Sequence, residues 1–292
     1  YRRQRQMCIR DSDIYAARAA LHMWEEPCIS GEHGSGAVFF SGCTLRCIFC
    51  QNAEIAAAHV GKKITVERLS DIFLELQDKC ANNINLVTAT HFVPQVAEAL
   101  IKAKNKGLVI PVVYNSSAYE NVSTLNMLDG LVDVYLPDMK YIDSRLSAEY
   151  SKAPDYADVA KAAIHEMVRQ TGKPEFFIVD DELVKSGRVE AGIMKKGVIV
   201  RHLVLPGTTK DSKAVIKYLI DTYGDDIYIS IMSQYTPFER LKKHPLLSRK
   251  VTRKEYNSVV DYAIDCGINN GFIQEGDVAE ESFIPEFDYE GI

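Results

Sequence analysis

Apolar residues along the chain follow two alternating patterns. Short apolar runs, which are typical of buried strands, occur at residues 37–40, 84–88, 109–114, 132–136, 197–203 and 227–231. Between these runs, apolar residues recur every three or four positions, as they do on one face of a helix. Such segments begin at Thr65 and occupy residues 92–106, 121–128, 156–170, 210–223 and 252–266. The alternation predicts parallel strands that are joined by helical crossovers.

Local capping signals support the predicted helices. Thr65 precedes a helical run and can accept a hydrogen bond from its first turn. Thr252 and Glu255 form the pattern of a capping box, and Gly107 and Gly267 lie directly after two predicted helices. We therefore predict an α/β fold, a parallel (β/α)6-type partial TIM barrel, and its functional side chains should lie at the carboxyl ends of the strands.

The chain before the first apolar run is predicted to be a helix over residues 14–23. Its apolar residues fall at helical spacing, and Pro27 ends it; they are Ile14, Ala17, Leu21 and Trp24. In this helix His22 is expected on the helix surface, and Cys28 is expected to be a packed apolar side chain whose further role the sequence leaves open.

We divide the chain into three parts. Residues 1–12 are basic and unlike the rest, so we expect a non-native or disordered tail in which Cys8 has no role. Residues 13–36 form the helical lead-in, and residues 37–292 form one barrel domain. The least regular stretch, residues 176–196, is expected to cover the mouth of the barrel.

Composition limits the possible partners. The chain has 292 residues, of which 47% are hydrophobic and 25% charged, with no apolar run long enough to span a membrane. The net charge is −6 and the sequence has no basic stripe, which argues against nucleic acid as a partner. We expect a monomeric cytoplasmic protein. The seven cysteines are odd in number and clustered, unlike a disulfide framework.

Three cysteines, Cys43, Cys47 and Cys50, stand at C-x3-C-x2-C spacing directly after the first apolar run. A structural zinc site usually has four ligands in two pairs, whereas this set stops at three. A four-iron cube held by three cysteines would leave one iron open, and that open iron would need a function. A zinc site completed by a distant histidine, or simply buried thiols, are the remaining alternatives.

The triplet resembles the signature of the radical S-adenosylmethionine enzymes, in which an aromatic residue, here Phe49, precedes the last cysteine. The phrases at residues 24–31, 34–43 and 50–52 narrow the likeness to homologues of pyruvate formate-lyase activating enzyme. The resemblance implies a [4Fe–4S] cluster on the three cysteines and S-adenosylmethionine at its open iron. It also implies reductive cleavage of this cofactor to a 5′-deoxyadenosyl radical.

The resemblance implies further cofactor contacts at the ends of the second and third strands. Thr88, Thr90 and His91 stand where many relatives have a Gly-Gly-Glu segment that binds the amino group of the cofactor. Asn115 and Ser117 stand where activating enzymes have a polar turn. Ala118 replaces a glycine of that turn, so we expect the backbone there to need no positive φ.

The later strands add the charged residues. Asp138 and Lys140 resemble an Asp-x-Lys pair that would accept the ribose hydroxyls and neutralise the methionine carboxylate. Arg201 resembles an arginine that precedes a Leu-Pro-Gly turn, and we expect His202 to be structural. Gln234 and Tyr235 stand where activating enzymes have a Tyr-His pair, so one of them would replace the histidine. This departure indicates a divergent branch.

The resemblance implies that the radical is passed to a glycine of a partner glycyl radical enzyme, with a flavodoxin or ferredoxin as the reductant. The enzymatic alternative is a radical S-adenosylmethionine enzyme that acts on a small molecule or on another protein. A second alternative is a non-catalytic metal-binding protein. The identity of the partner and of the reductant is left open by the sequence.

Overall fold

The structure, a computed structural model, describes residues 13–274 and 285–292. Its strands in chain order are β1 Ile14–His22, β2 Ser35–Phe40, β3 Lys62–Ile64, β4 Ile84–Val87, β5 Val112–Ser116, β6 Val134–Pro137, β7 Glu175–Phe176, β8 Met194–Leu203, β9 Tyr228–Met232 and β10 Gly271–Ile273. The expectations for residues 1–12, including Cys8, lie outside the described residues.

The helices follow the strands in the predicted alternation. They are α1 Pro27–Ser30, α2 Ala53–Ala56, α3 Val66–Asp78, α4 Val93–Asn105, α5 Val122–Leu125, α6 Ser144–Ser151, α7 Tyr156–Thr171, α8 Glu182–Lys185, α9 Thr209–Tyr223 and α10 Arg253–Asp265. Thr65 caps α3 through its side chain, and the capping box of Thr252 and Glu255 is present at α10. Within the described residues, no helix is both long and apolar enough to cross a bilayer.

Six strands form the parallel barrel wall. Their order is β9-β8-β6-β5-β4-β2, and β10 extends the wall as a further parallel strand beside β9. Alternate residues of each strand face the helices, where they form the main apolar core, and the others face the barrel interior. The prediction of an α/β fold with a mostly parallel sheet is confirmed.

The prediction of a helix at residues 14–23 is wrong, because this segment is β1. The strand pairs antiparallel with β2 along most of its length and with β3 at its first residues. A register shift between Ala16 and Arg18 interrupts the alternation of buried and exposed residues, so that the apolar spacing looked helical. Pairing with two strands outweighs the helix propensity of the four alanines.

The segment after β1 turns under the barrel and fills its lower interior. Pro27 begins the single turn of α1, which places Cys28 and Ile29 against inward residues of the strands. The apolar residues that they meet are Val113, Val134, Leu136, Met194 and Ile199. Cys28 is therefore packed as an apolar side chain at the floor of the barrel, as expected.

Residues 176–196 lie at the floor and not over the mouth, which corrects the prediction. β7 pairs with the first residues of β8, at the amino end of the barrel wall. Glu190 accepts hydrogen bonds from the backbone N of Glu32 and from Nδ2 of Asn82, which precede β2 and β4. The irregular stretch looked like a lid because the sequence does not tell which end of the barrel a long connection covers.

The last residues pack along β1. The amide of Tyr289 donates to the carbonyl of Ala17 at 3.1 Å, and the amide of Ala19 donates to the carbonyl of Glu290 at 2.8 Å. Arg18 reaches the same segment through ion pairs with Asp288 and Glu290. Residues 285–292 therefore form an extended C-terminal strap on β1.

Candidate active site

A cavity of about 240 Å³ opens at the carboxyl ends of the parallel strands. The three clustered cysteines line it, together with charged residues that follow β6, lie on β8 or belong to the segment after β1. Most of the site residues predicted from the sequence line this cavity: Cys43, Cys47, Phe49, Cys50, Thr88, Asn115, Ser117, Asp138, Lys140, Arg201 and Gln234. The fold thus brings together residues that are far apart in the chain.

The loop that carries the cysteines begins at a glycine that the site requires. Gly42 has a φ of +98°, and a Cβ added there would lie 2.9 Å from Nε2 of His91. The same Nε2 lies 2.8 Å from the carbonyl oxygen of Ser41. Positive φ and close approach both favour glycine at this point. His91 therefore supports the start of the loop.

The far side of the loop is held by residues that follow β9. Nε of Arg240 donates to the carbonyl of Ile48 at 3.1 Å, and its Nη2 donates to the carbonyl of Cys50. Nε2 of Gln51 donates to the carbonyl of Gln234 at 3.0 Å. These contacts fix the backbone on both sides of the last cysteine.

Phe49 anchors the loop in an aromatic cluster. Its ring meets those of Tyr141, Tyr150 and Tyr235 edge-to-face, at centroid separations of 6.4 to 6.5 Å. Edge-to-face contacts of this kind add to the burial of apolar area. The aromatic residue of the motif thus holds the turn in place while part of it borders the cavity.

Four charged groups of the same cavity wall form an alternating chain. Nζ of Lys140 lies 2.6 Å from Oδ2 of Asp138, whose Oδ1 accepts from Nε of Arg201 at 3.0 Å. Nη1 of Arg201 donates to Oε2 of Glu25 at 3.0 Å, and its Nη2 donates to Oδ1 of Asn115 at 2.6 Å. Two acids and two bases thus balance each other in the absence of any ligand.

Burial and pairing act against each other on these groups. Burial works to raise the pKa of Asp138, but Lys140 and Arg201 outweigh it and lower that pKa overall. Burial works to lower the pKa of Lys140 and of Arg201, but their acidic neighbours raise both. All three groups are therefore charged at neutral pH, although each is largely withdrawn from water.

The three cysteines are half-buried, and their thiols are free. Burial raises the pKa of the Cys47 thiol to about 11 and that of Cys50 to about 12. The hydroxyl of Ser151 donates to Sγ of Cys47 at 3.0 Å. Thiols of this kind become thiolates when a metal replaces the proton. The free thiols of Cys43, Cys47 and Cys50 all border one cavity.

This donor set fits an iron–sulfur cube. In such a cube each cysteine binds a different iron, so the three sulfurs need not meet at one ion. Among residues 13–274 and 285–292, no three His, Cys, Asp or Glu side chains are grouped closely enough for a single metal ion. Cys43, Cys47 and Cys50 would hold the cluster, and the charged chain lines the same cavity.

Three of the predicted cofactor contacts do not line the cavity. The hydroxyl of Thr90 donates to Oε1 of Glu120 at 2.6 Å, and the His91 ring supports Ser41 as described above. The hydroxyl of Tyr235 donates to the carbonyl of Leu247. Each polar group is used within the protein, because the backbone beyond each strand end turns these side chains away from the cavity.

The expectation for Ala118 is also wrong, since its φ is +57°. The methyl group is fully buried, and the amide of Ala118 donates to Oγ of Ser116 at 3.2 Å. Packing and this short turn hold an alanine in a conformation that favours glycine. His202 meets its expectation as a structural residue, since it is buried with Nδ1 2.7 Å from the carbonyl of Met139.

Glu25 and Tyr156 are site residues that the sequence analysis missed. Glu25 borders the cavity and pairs with Arg201. The Tyr156 hydroxyl lies 2.7 Å from the carbonyl of Asp138 and accepts from the amide of Lys140, so it orients the turn between these two residues. The sequence held one signal for Glu25. Arg201 was predicted to lie inside the barrel, and a buried arginine needs more acceptors than Asp138 alone provides.

Comparison with known proteins relates this site to a family. The family model of the Radical SAM superfamily matches residues 37–219. An uncharacterised protein of Methanocaldococcus jannaschii is 27% identical over 261 residues, which are 87% of this chain and 68% of that protein.

Solved structures were also compared with this chain, and one with a TM-score above 0.5 shares its fold. Methylornithine synthase superposes with a TM-score of 0.51 at 13% identity, over 78% of this chain and 61% of its own. The chain thus spans less than two thirds of that enzyme. A domain of pyruvate-formate lyase-activating enzyme from Bacteroides vulgatus aligns over 63% of this chain and 92% of its own, with a TM-score of 0.40 and 10% identity.

Proposed function

The chain belongs to the radical S-adenosylmethionine superfamily, and we propose that within it the protein generates a glycyl radical on a partner enzyme. The superfamily uses a [4Fe–4S] cluster and S-adenosylmethionine. When bound, these groups supply a one-electron reductive cleavage that gives methionine and a 5′-deoxyadenosyl radical. The structure bears on how residues of this chain would hold them.

The observation that carries the cofactor assignment is that two sets of residues line one cavity. Cys43, Cys47 and Cys50 border it, and so does the ion-paired chain from Lys140 to Glu25. S-adenosylmethionine carries a carboxylate, an ammonium, a sulfonium and ribose hydroxyls. A site that alternates acids and bases offers a partner to each of these groups.

We assign the cofactor contacts as follows. Among the residues that the structure describes, Lys140 has one acidic partner, Asp138, and would turn to the methionine carboxylate. Asp138 would then be released to accept from the ribose hydroxyls. Thr88, Asn115, Ser117 and Gln234 supply further polar groups on the cavity wall. Phe49 would pack beside the cofactor, and the buried wall would keep water from a radical formed there.

The assignment of a protein substrate rests on the sequence phrases that flank the cysteines. The cavity is open, and the exposed ring of Trp24 stands on its rim. A partner loop could therefore reach the cofactor from outside. We propose a monomeric enzyme that receives its electron from a flavodoxin or ferredoxin and transfers a hydrogen atom from a glycine of the partner to the 5′-deoxyadenosyl radical.

The test combines anaerobically reconstituted protein, reductant, S-adenosylmethionine and a glycyl radical enzyme encoded beside it. We expect a glycyl radical signal in electron paramagnetic resonance, and deuterium placed on the partner glycine should appear in 5′-deoxyadenosine. A partner in which that glycine is replaced by alanine is the matched control.

Two outcomes separate the alternatives. If 5′-deoxyadenosine forms but no candidate partner gains a radical, the glycyl radical proposal is wrong, and a small molecule or another protein is the substrate. If reconstituted protein binds S-adenosylmethionine but never cleaves it under strong reductants, the assignment as an enzyme is contradicted.

A further inference from the structure

We propose that Glu25 is a positioning residue of the cofactor site, which fixes the guanidinium of Arg201 and leaves Lys140 as the cation that meets the carboxylate of S-adenosylmethionine. Glu25 comes from outside the parallel barrel, on the segment that follows β1. The inference concerns cofactor binding and is independent of which substrate receives the radical.

Arg201 is held by acceptors on three of its nitrogen atoms. Nε donates to Asp138, Nη1 to Glu25 and Nη2 to Asn115, at distances from 2.6 to 3.0 Å. The two acids come from different parts of the chain and approach the planar guanidinium from different directions. A guanidinium fixed in this way cannot turn toward a ligand without breaking a charge-assisted hydrogen bond.

Glu25 is itself fully engaged. Oε2 accepts from Arg201, while Oε1 accepts from Nδ2 of Asn85 at 3.2 Å and from Nδ2 of Asn115 at 3.3 Å. Its side chain is only 10% exposed. These donors tie Glu25 to Arg201, Asn85 and Asn115, so its carboxylate is positioned by the protein. Its reach to Asn115 also orients the amide that accepts from Arg201.

The floor of the barrel sets the position of Glu25. The amide of Glu25 donates to Oγ of Ser30 at 3.0 Å, and that hydroxyl lies 3.3 Å from the carbonyl of His22. Gly31, with a φ of +53°, ends α1 where an added Cβ would lie within 3 Å of Asn82 and Glu190. The turn of α1 inside the barrel thus holds Glu25 where its carboxylate contacts Arg201.

Charge supports the same assignment. Burial works to lower the pKa of Arg201, and the carboxylates of Asp138, Glu25 and Glu26 outweigh it. Among the described residues, Lys140 has only Asp138 as an acidic hydrogen-bond partner. It would therefore break fewer ion pairs than Arg201 on turning to a ligand. Removing the charge of Glu25 would leave Asp138 as the one acid, among the described residues, that forms an ion pair with Arg201 or Lys140, in a site that must also accept a sulfonium.

The test is a double-mutant cycle on anaerobically reconstituted protein, with the dissociation constant of S-adenosylmethionine as the readout. Glu25→Gln keeps the shape of the side chain and removes its charge. We expect it to weaken binding by about tenfold or more, as for the loss of a charge-assisted hydrogen bond. In an Arg201→Gln background the same change should alter binding by no more than about twofold.

Glu26→Gln is the matched control. Glu26 is adjacent, buried and near Arg201, but it does not border the cavity, and burial raises the pKa of its carboxyl. We expect this variant to bind the cofactor within about twofold of the parent. Iron content and thermal unfolding are compared for all variants, and Glu25→Asp replaces Glu25→Gln in the cycle if the latter does not fold.

Two results would overturn the proposal. If the Glu25 variant binds the cofactor as tightly as the parent, Glu25 has no positioning role. If it weakens binding equally in the Arg201→Gln background, Glu25 acts directly or through its charge alone, and not through Arg201. The proposal is supported if Glu25→Gln weakens binding in the parent but not in the Arg201→Gln background while the cluster stays intact, whatever the outcome for the partner enzyme.

Discussion

Nη1 of Arg201 lies 3.0 Å from Oε2 of Glu25, across 176 positions of sequence. The contact joins the segment before the barrel to a strand near its end. Because both residues border the same cavity, the lead-in segment is part of the site and not only a covering of the fold. Several consequences of the geometry can be measured without knowing the substrate.

Substitution of any one of Cys43, Cys47 and Cys50 by serine should abolish the cluster. With two cysteines left, a second iron of the cluster has no cysteine ligand. We therefore expect loss of bound iron and of visible absorption after reconstitution. Cys80→Ser is the control, because Cys80 is exposed and does not line the cavity. Equal iron in all variants would contradict the ligand set.

Gly42→Ala should disturb the start of the cysteine loop. The new methyl group would lie 2.9 Å from the His91 ring, and the alanine would also have to adopt a positive φ. We expect a loss of about 1–3 kcal/mol in the free energy of unfolding and a lower iron content. Gly107→Ala has a similar φ and open space around it, so it should cost about 1 kcal/mol and leave iron unchanged. Urea unfolding and iron assays of the two variants separate the effect of the contact with His91 from that of backbone strain.

Arg240→Ala should make the cluster labile. It removes two donors to carbonyls of the cysteine loop, on Ile48 and Cys50. A loss of about 1 kcal/mol would speed the release of iron to a chelator roughly fivefold. Lys242→Ala, on the same turn and paired with exposed Glu239, should release iron at the parent rate. An unchanged rate for the Arg240 variant would show that these contacts do not hold the loop.

His202 should make stability fall on acidification. Burial lowers its pKa to about 4, below the value of an unfolded histidine. Between these two values the unfolded chain binds the extra proton, so stability is complete above pH 6.5 and declines as the pH falls. We expect His202 to contribute about 2 kcal/mol to the loss between pH 7.5 and pH 5. Urea unfolding of His202→Asn over this range should show a shallower slope, and identical slopes would contradict the assignment.

Arg18→Glu should loosen the C-terminal strap while changing global stability little. Arg18 pairs with Asp288 and Glu290, both about half exposed, and such pairs contribute up to about 1 kcal/mol. Hydrogen exchange should accelerate at the amides of Ala19 and Tyr289, which bond across this contact. Lys63→Glu breaks an exposed pair at the other end of β1 and should leave both amides protected.

Much of the barrel could be predicted, because apolar residues recur with different periods in its strands and in its helices. Apolar runs such as Ile84–Val87 and the amphipathic segment from Val93 have patterns that the structure keeps. β1 could not be predicted, because a register shift and a run of alanines hide its alternation. Its strand form depends on the pairing partners on both sides, and periodicity carries no information about them.

The site could be predicted where a motif and a strand end coincide. Cys43, Asp138 and Lys140 line the cavity because their strands deliver them to one end of the barrel. Thr90, His91 and Tyr235 follow strands as well, but internal hydrogen bonds turn them away. Glu25 was missed because it belongs to no barrel strand, and its place depends on how the chain folds back under the sheet.

Cys28 and Ile29 fill the interior of the barrel near the amino ends of its strands, so the cavity opens at the carboxyl ends. Methionine and deoxyadenosine would have to depart by the route through which a substrate enters. A protein substrate of the kind proposed above would cover this opening while it is docked.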